Sequence, residues 1–345
     1  MKRALVMVMV VAGGCSSRTD ASSSVRGEAI GSAEVLAATA PTINPRLLRR
    51  FRPLRTSFDE GERTQAQIDL GRMLYFDARL SKNNDVSCNS CHPLDKYGAD
   101  GQPRSKGTDG KLGKRNSPTV FHAAGQFASF WDGRAPDVEH QAMGPVTNPV
   151  EMAMTADEAV ARLAAIPGYR KAFASAFPTS KDVTSEHIGI AIGAFERGLS
   201  TPARWDRYLQ GDRKALTAEE VEGFKLFSDI GCVSCHTGEL VGGSSFQKVG
   251  VIEPWPNQSD RGRYDLTHDK ADDMRFKVPT LRNITHTAPY FHDGSVASLD
   301  VAVKTMARYQ LGAEVSDTEV RLIVAWLDTL TGEVTQAYIA APTLP

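Results

Sequence analysis

Cys88-Asn89-Ser90-Cys91-His92 and Cys232-Val233-Ser234-Cys235-His236 are two copies of one motif, Cys-X-X-Cys-His. In this arrangement both cysteines attach a haem through thioethers, and the adjacent histidine reaches the iron as proximal ligand. Two copies predict two covalently bound haem c groups, with Cys88, Cys91, His92, Cys232, Cys235 and His236 as the residues that hold them. Redox chemistry follows. A structural zinc site would need four ligands, usually from two clusters brought together. Here the clusters lie far apart in sequence, and each carries its own histidine at the same offset. A thioredoxin-like pair would follow a strand in a βαβ pattern, and none precedes either motif.

The chain has five cysteines. The fifth, Cys15, follows Met1-Lys2-Arg3, an apolar run over 4–12, and Gly13-Gly14. A basic start, a short apolar core and small residues before a cleavage point are the signature of an export signal, too short to span a bilayer permanently. Small residues directly before a cysteine also resemble a bacterial lipoprotein signal, with Cys15 as the lipidated first residue; Ala12 stands where leucine is usual. The other reading is an ordinary signal peptide cut nearby. Either way the mature protein faces the periplasm, where covalent haem is attached, and no cysteine remains for a structural disulfide. Residues 16–45, rich in Ser, Ala, Thr and Gly, read as a flexible tether. The formal net charge of −1 excludes the strongly basic balance that would point to a nucleic-acid partner.

The remaining roughly 300 residues suit two domains of ordinary size. The chain repeats itself loosely before each haem motif: Gly71-Arg72-Met73-Leu74-Tyr75-Phe76-Asp77, then Gly223-Phe224-Lys225-Leu226-Phe227-Ser228-Asp229. Each reads as the end of a helix leading into a haem loop. Thr217-Ala218-Glu219-Glu220 is a capping-box pattern. Further helical windows with apolar residues three and four apart cover 155–165, 185–199, 299–309 and 317–330. Strand signals are few, and the rest is loop rich in Gly and Pro. The expected fold class is mainly α: two cytochrome c-like haem domains with extensive loops. The first would span 46–200 and the second 201–345, with a boundary near Leu199–Trp205 and the last helices packing back on the first domain.

Between roughly Gly61 and Gly332 the chain resembles the bacterial dihaem cytochrome c peroxidases. The likeness rests on Arg115-Asn116-Ser117-Pro118-Thr119, Phe130-Trp131-Asp132-Gly133-Arg134, Glu139-His140-Gln141-Ala142, Pro149-Val150-Glu151-Met152, Phe276-Lys277-Val278-Pro279, Leu281-Arg282-Asn283 and 287–294, Thr-Ala-Pro-Tyr-Phe-His-Asp-Gly. Methylamine-utilisation enzymes of the MauG type share many of these motifs.

The resemblance implies different work for the two haems. The C-terminal haem would relay an electron, with His236 proximal and Met306 distal. A thioether ligand favours Fe(II) and raises the reduction potential. MauG-type enzymes carry tyrosine as this ligand; Tyr309 is three residues on, but the register picks Met306. The N-terminal haem would bind peroxide, with His92 proximal. Many family members cap that iron with a second histidine until reduction releases it. Here the matching position is Thr108, which cannot ligate like imidazole, so the expectation is a haem without a histidine gate. His122, and less so His140, are the alternative caps. The family's proton-shuttling acid maps onto Glu151 and its partner amide onto Gln141, with Glu139 as runner-up. Trp131 matches a tryptophan that lies between the haems. A calcium ion between domains would take Asn116 through its side chain and Thr287 and Pro289 through their carbonyls, oxygen donors that suit a hard cation. His292 reads as structural.

The leading expectation is an exported, lipid-anchored peroxidase that reduces hydrogen peroxide with electrons from a small c-type cytochrome or cupredoxin, homodimeric by analogy. The second is a MauG-type enzyme oxidising a protein or organic substrate; Thr108 favours it and Met306 opposes it. The third is a dihaem electron carrier with no enzymatic role, which would need neither Gln141 nor Glu151.

Overall fold

Helices dominate, and loops join them. The computed structural model describes residues 42–59, 63–180 and 182–345; the export signal, Cys15 and most of the predicted tether lie outside them. The first half carries α1 (Pro45–Leu48), α2 (Gln65–Phe76), α3 (Cys88–Cys91), α4 (Val138–Thr147), α5 (Ala156–Ala165), α6 (Pro167–Ala176) and α7 (Ser185–Glu196). The second carries α8 (Arg204–Leu209), α9 (Ala218–Ile230), α10 (Tyr264–Thr267), α11 (Leu299–Met306), α12 (Asp317–Asp328) and α13 (Gln336–Ile339). Two short strands, β1 (Phe246–Lys248) and β2 (Arg275–Lys277), pair antiparallel with Gln247 opposite Phe276. Among the described residues no helix is long and apolar enough to cross a membrane.

The sequence repeat has a structural counterpart. Gly71 lies in α2 and Gly223 in α9, each helix leading into a Cys-X-X-Cys-His loop. A Cβ built on Gly71 would fall 1.8 Å from Ala191 O of α7; one built on Gly223 would fall 1.9 Å from Leu322 O of α12. Each glycine therefore marks a crossing where the helix before a haem motif meets another helix backbone to backbone, with no room for a side chain.

Caps explain where these helices begin. Thr217 Oγ1 accepts from Glu220 N–H, and Glu220 Oε2 accepts from Thr217 N–H at 2.8 Å, so the predicted box is reciprocal. Thr155 and Ser316 start α5 and α12 in the same way. α11 departs from the expected continuous helix over 299–309: it stops at Met306, and residues 307–311 form one wide π turn ending at Gly312 with φ +65°. α4 was not expected as a helix, because Gly144 and Pro145 interrupt its pattern.

Two large apolar cores result. One gathers Leu70, Leu74, Val146, Leu163, Tyr169, Phe173 and Ile188. The other centres on Trp205, Phe224 and Trp326, with Trp205 and Trp326 edge to face at 5.5 Å, and takes Ile43 and Phe51 from the start of the described chain. A smaller cluster joins Ile339 of α13 to Tyr75, Phe121 and Phe195. A buried ion pair braces the second half: Arg282, fully buried, donates from both terminal nitrogens to Asp206 at 2.8 Å. Asp206 also accepts from Leu54 and Ala203 N–H, the additional bonds that a buried carboxylate requires.

Candidate active site

α2 delivers the chain to the first motif, which forms α3 and closes with His92. His92 Nδ1 lies 3.2 Å from Gly98 O. His236 Nδ1 lies 3.2 Å from Val241 O. A backbone carbonyl accepts from Nδ1–H, so this tautomer leaves Nε2 as the free donor atom, which is how a carbonyl behind the ring prepares a histidine for a metal. Burial lowers the pKa of both rings, His236 to about 4, so the neutral imidazole is favoured. Tyr75 hydroxyl donates to His92 O at 2.7 Å and fixes the end of the loop.

Each motif opens on a cavity. The larger, about 820 Å³, is lined by Cys88, Cys91 and His92 on one side and Gln141, Asn148 and Glu151 among others. The narrower, about 190 Å³, is lined by Cys232, Cys235, His236 and Met306, with an apolar wall including Phe227, Val303, Ile323 and Leu327. Trp131 and Lys277 line both. Trp131 is held there by Nε1–H donating to Asn116 O at 2.9 Å.

The larger cavity gathers the expected shuttle residues on α4 and the turn after it. Glu151 is partly buried. Its Oε1 accepts from Asn148 Nδ2 at 2.6 Å. Burial raises its carboxyl above the ordinary value, while Arg134 and the Asn148 bond pull the other way. A carboxyl raised toward neutrality can both take and return a proton. The runner-up, Glu139, points elsewhere: both its oxygens accept from Arg197, at 2.7 and 3.0 Å, and it does not line the cavity.

The other histidines are also placed away from this cavity. His140 is exposed and pairs with Asp137 at 2.6 Å. His122 is fully buried, and its Nε2 meets Thr201 at 3.1 Å in a network that continues to Asn283. His292 stacks on Phe276 with ring centroids 4.0 Å apart. Thr108 is fully buried and does not line the cavity, although Ser105 and Gly107 do. Its Oγ1 donates to Asp85 Oδ1 at 2.9 Å, and its N–H donates to Glu151 O at 2.6 Å. The Thr108 loop is thus tied to the backbone of the candidate shuttle residue.

In the second cavity Met306 is the last residue of α11, immediately before the π turn. Tyr309 does not line the cavity; its ring packs on Trp255, centroids 5.7 Å apart. The wide turn carries the two side chains apart, as π insertions do at functional positions.

Comparison with known proteins identifies the family. Residues 65–214 match the family described as di-haem cytochrome c peroxidase. Cytochrome c551 peroxidase of Nitrosomonas europaea is 48% identical over 279 residues, covering 80% of this chain and 83% of that protein. Cytochrome c551 peroxidase of Pseudomonas aeruginosa is 42% identical over 289 residues, covering 82% and 83%. The chain belongs to the di-haem cytochrome c peroxidase family. A solved MauG-like protein associated with microbial copper homeostasis aligns with a TM-score of 0.70 at 30% identity, covering 84% of this chain and 95% of that one.

A di-haem peroxidase carries two haem c groups, and the donor sets here fit them. Each cavity presents a Cys pair and one histidine with Nε2 available. The alternatives do not fit. Among the described residues no three of His, Cys, Asp and Glu converge as a metal cluster. Burial raises the thiols of Cys88 to about 12 and of Cys91 and Cys232 to about 11, the reverse of a reactive dithiol.

Three residues of the candidate site escaped sequence reasoning. Asn148 holds Glu151, and its place three residues earlier was the available signal. Glu196 lines the larger cavity, and burial raises it to about 8; an acid on the apolar face of the 185–199 window could have flagged it. Lys277 is a charge within the apolar run Phe276-Lys277-Val278-Pro279, and it is only 8% exposed.

Proposed function

We propose that the chain reduces hydrogen peroxide to two waters, taking two electrons and two protons, with the electrons drawn from a small c-type cytochrome or a cupredoxin in the periplasm. The observation that carries this reading is that Glu151 and Gln141 line the same cavity as Cys88, Cys91 and His92. Bound haem would supply the iron site for peroxide and the electrons for O–O cleavage. Cys88 and Cys91 would anchor it by thioethers and His92 would ligate through Nε2; Cys232, Cys235, His236 and the Met306 sulfur would do the same for the second haem.

The protein's own part is proton traffic. O–O cleavage needs a proton moved from the inner to the outer oxygen. Glu151 can accept it on a carboxylate oxygen and hand it back. Asn148 keeps Oε1 oriented, which leaves Oε2 for the substrate. Gln141, neutral at all pH values, can hold peroxide by hydrogen bonds without competing for the proton. Trp131, lining both cavities, offers an aromatic ring between the two redox centres. The Thr108 loop, bonded to Asp85 and Glu151, carries no imidazole toward the cavity, so peroxide meets no histidine gate. Met306 in the second cavity, with Tyr309 against Trp255, favours peroxidase over the MauG-type reading.

Further parts of the same proposal are a division into an N-terminal peroxidatic and a C-terminal electron-transfer domain, membrane anchoring through lipidated Cys15, and homodimerisation. A calcium ion would bind Asn116 Oδ1 with the Thr287 and Pro289 carbonyls. Asn116 N–H donates to His292 O at 2.9 Å, and its Nδ2 donates to Gln102 O at 3.0 Å. These bonds bring Asn116 beside His292 and leave its Oδ1 out of both of them, open to a cation.

The test is to purify the exported holoprotein, count haem by pyridine haemochrome, and add peroxide with reduced cytochrome c. Two haem c per chain and two donor electrons consumed per peroxide are expected. Peroxide consumption with no oxidation of either a cytochrome or a cupredoxin donor would overturn the peroxidase reading in favour of a MauG-type oxidase.

A further inference from the structure

Lys277 is a buried cation to which the described residues supply no anionic partner. Its only side-chain hydrogen bond among the described residues is to a neutral group, Gln126 Oε1 at 2.5 Å. No carboxylate there lies within ion-pair distance of it. The nearby carboxylate, Asp132, is already engaged: Arg115 donates to it at 2.7 Å and Arg134 at 3.0 Å. Burial pushes the Lys277 ammonium down to about 7, and Asp132 offsets this only in part. A buried ammonium without an anion is costly, and buried charges are as a rule paired.

The surroundings say which anion. Lys277 lines both cavities, and Gln126, which holds Nζ, lines the larger. Lys277 N–H donates to Trp131 O at 2.7 Å, so the strand that carries it is pinned to the loop between the cavities. Its neighbours Phe276 and Val278 line the smaller cavity. The other cations at the larger cavity are differently placed. Arg104, Lys114 and Arg134 are exposed, Arg134 being paired with Asp132 as well, and Arg115 is already engaged by Asp132 and Asp260. Lys277 is therefore the buried cation at this cavity still open to an incoming carboxylate.

We propose that Lys277 is the counter-charge for a carboxylate that enters with the cofactor, a haem propionate of the larger cavity, and that it sets that haem's potential. This rests on the reading that the cavity takes haem c. The pairing needs no covalent step, because the thioethers hold the group. Lys277 is a positioning and charge-balancing residue, acting on the propionate rather than on peroxide.

Lys277→Met and Lys277→Arg, made in the full exported protein, test this by redox titration and resonance Raman spectroscopy. Removing the ammonium leaves the propionate uncompensated and favours the ferric state. Lys277→Met is expected to shift one haem's reduction equilibrium about tenfold toward the ferric form, 59 mV for one electron, with Lys277→Arg close to the unsubstituted protein. A Lys277→Met protein that holds two haem c per chain and titrates unchanged would overturn the assignment. Should Lys277→Met yield no holoprotein, the Raman propionate-bending band decides. Its displacement in Lys277→Arg is expected, and an unmoved band refutes the contact. An unsubstituted protein lacking two haems would instead refute the haem reading on which the inference stands.

Discussion

Replacing Glu151 with glutamine removes a proton acceptor and little else. The Asn148 amide that holds Oε1 at 2.6 Å can hold a glutamine oxygen in its place, and the side-chain volume is nearly unchanged. Cavity shape, haem attachment and His92 are untouched. The loss is then that of a positioned acid–base group, a factor of about 10²–10⁴ in turnover, or about 2.7–5.4 kcal/mol of barrier. The pH profile gives an independent sign. Glu151 must start deprotonated to take the peroxide proton, so kcat/KM falls as pH drops through its pKa. Burial places that limb above the ordinary value of 4.5, and Glu151→Gln should abolish it. The assay is steady-state oxidation of a reduced donor cytochrome by peroxide, with optical spectra of both haems recorded on the same samples. Unaltered turnover with intact spectra would refute the shuttle role.

Met306→Ala should lower the potential of the C-terminal haem and make it high-spin, since the thioether that favours Fe(II) is gone; unchanged spectra and potential would remove Met306 as a ligand. Glu196 should give a stability signature. Its folded pKa of about 8 lies above the ordinary 4.5, so the folded state binds more protons between these values and stability declines as pH rises through them. Glu196→Gln should flatten that decline, and identical pH dependence of Tm in both proteins would contradict it. Gly223→Ala places a methyl 1.9 Å from Leu322 O and should cost about 1–3 kcal/mol by overpacking, read as a lower Tm of the holoprotein; an unchanged Tm would show that α9 and α12 can move apart.

Much of this was legible because haem attachment is written locally. Cys-X-X-Cys-His needs no tertiary context, and the Thr217 capping box sits within one turn of the helix it starts. The glycines in the two repeats were visible too, but not their reason: which backbone each approaches depends on helices about a hundred residues downstream. α4 escaped because its first turn is polar and Pro145 interrupts its pattern, yet packing against α7 sustains it and it carries Gln141. Resemblance supplied Met306, whereas the turn that separates it from Tyr309 became visible only in three dimensions, because a π insertion leaves no periodic signal. The burial of Lys277 and Glu196 escaped for a different reason. Burial of a charge is a property of everything packed around it, and a lysine between Phe276 and Val278 looks in sequence like one solvent-facing residue of a strand.

The central claim is that peroxide reaches an ungated haem beside Glu151, because Thr108 replaces the histidine cap and is tied back to Asp85. The most direct measurement is the EPR spectrum of the fully oxidised holoprotein, followed by peroxide and reduced cytochrome c added without pre-reduction. The account predicts a high-spin N-terminal haem and turnover from the first mixing. A low-spin N-terminal haem that turns over only after one-electron reduction would contradict it.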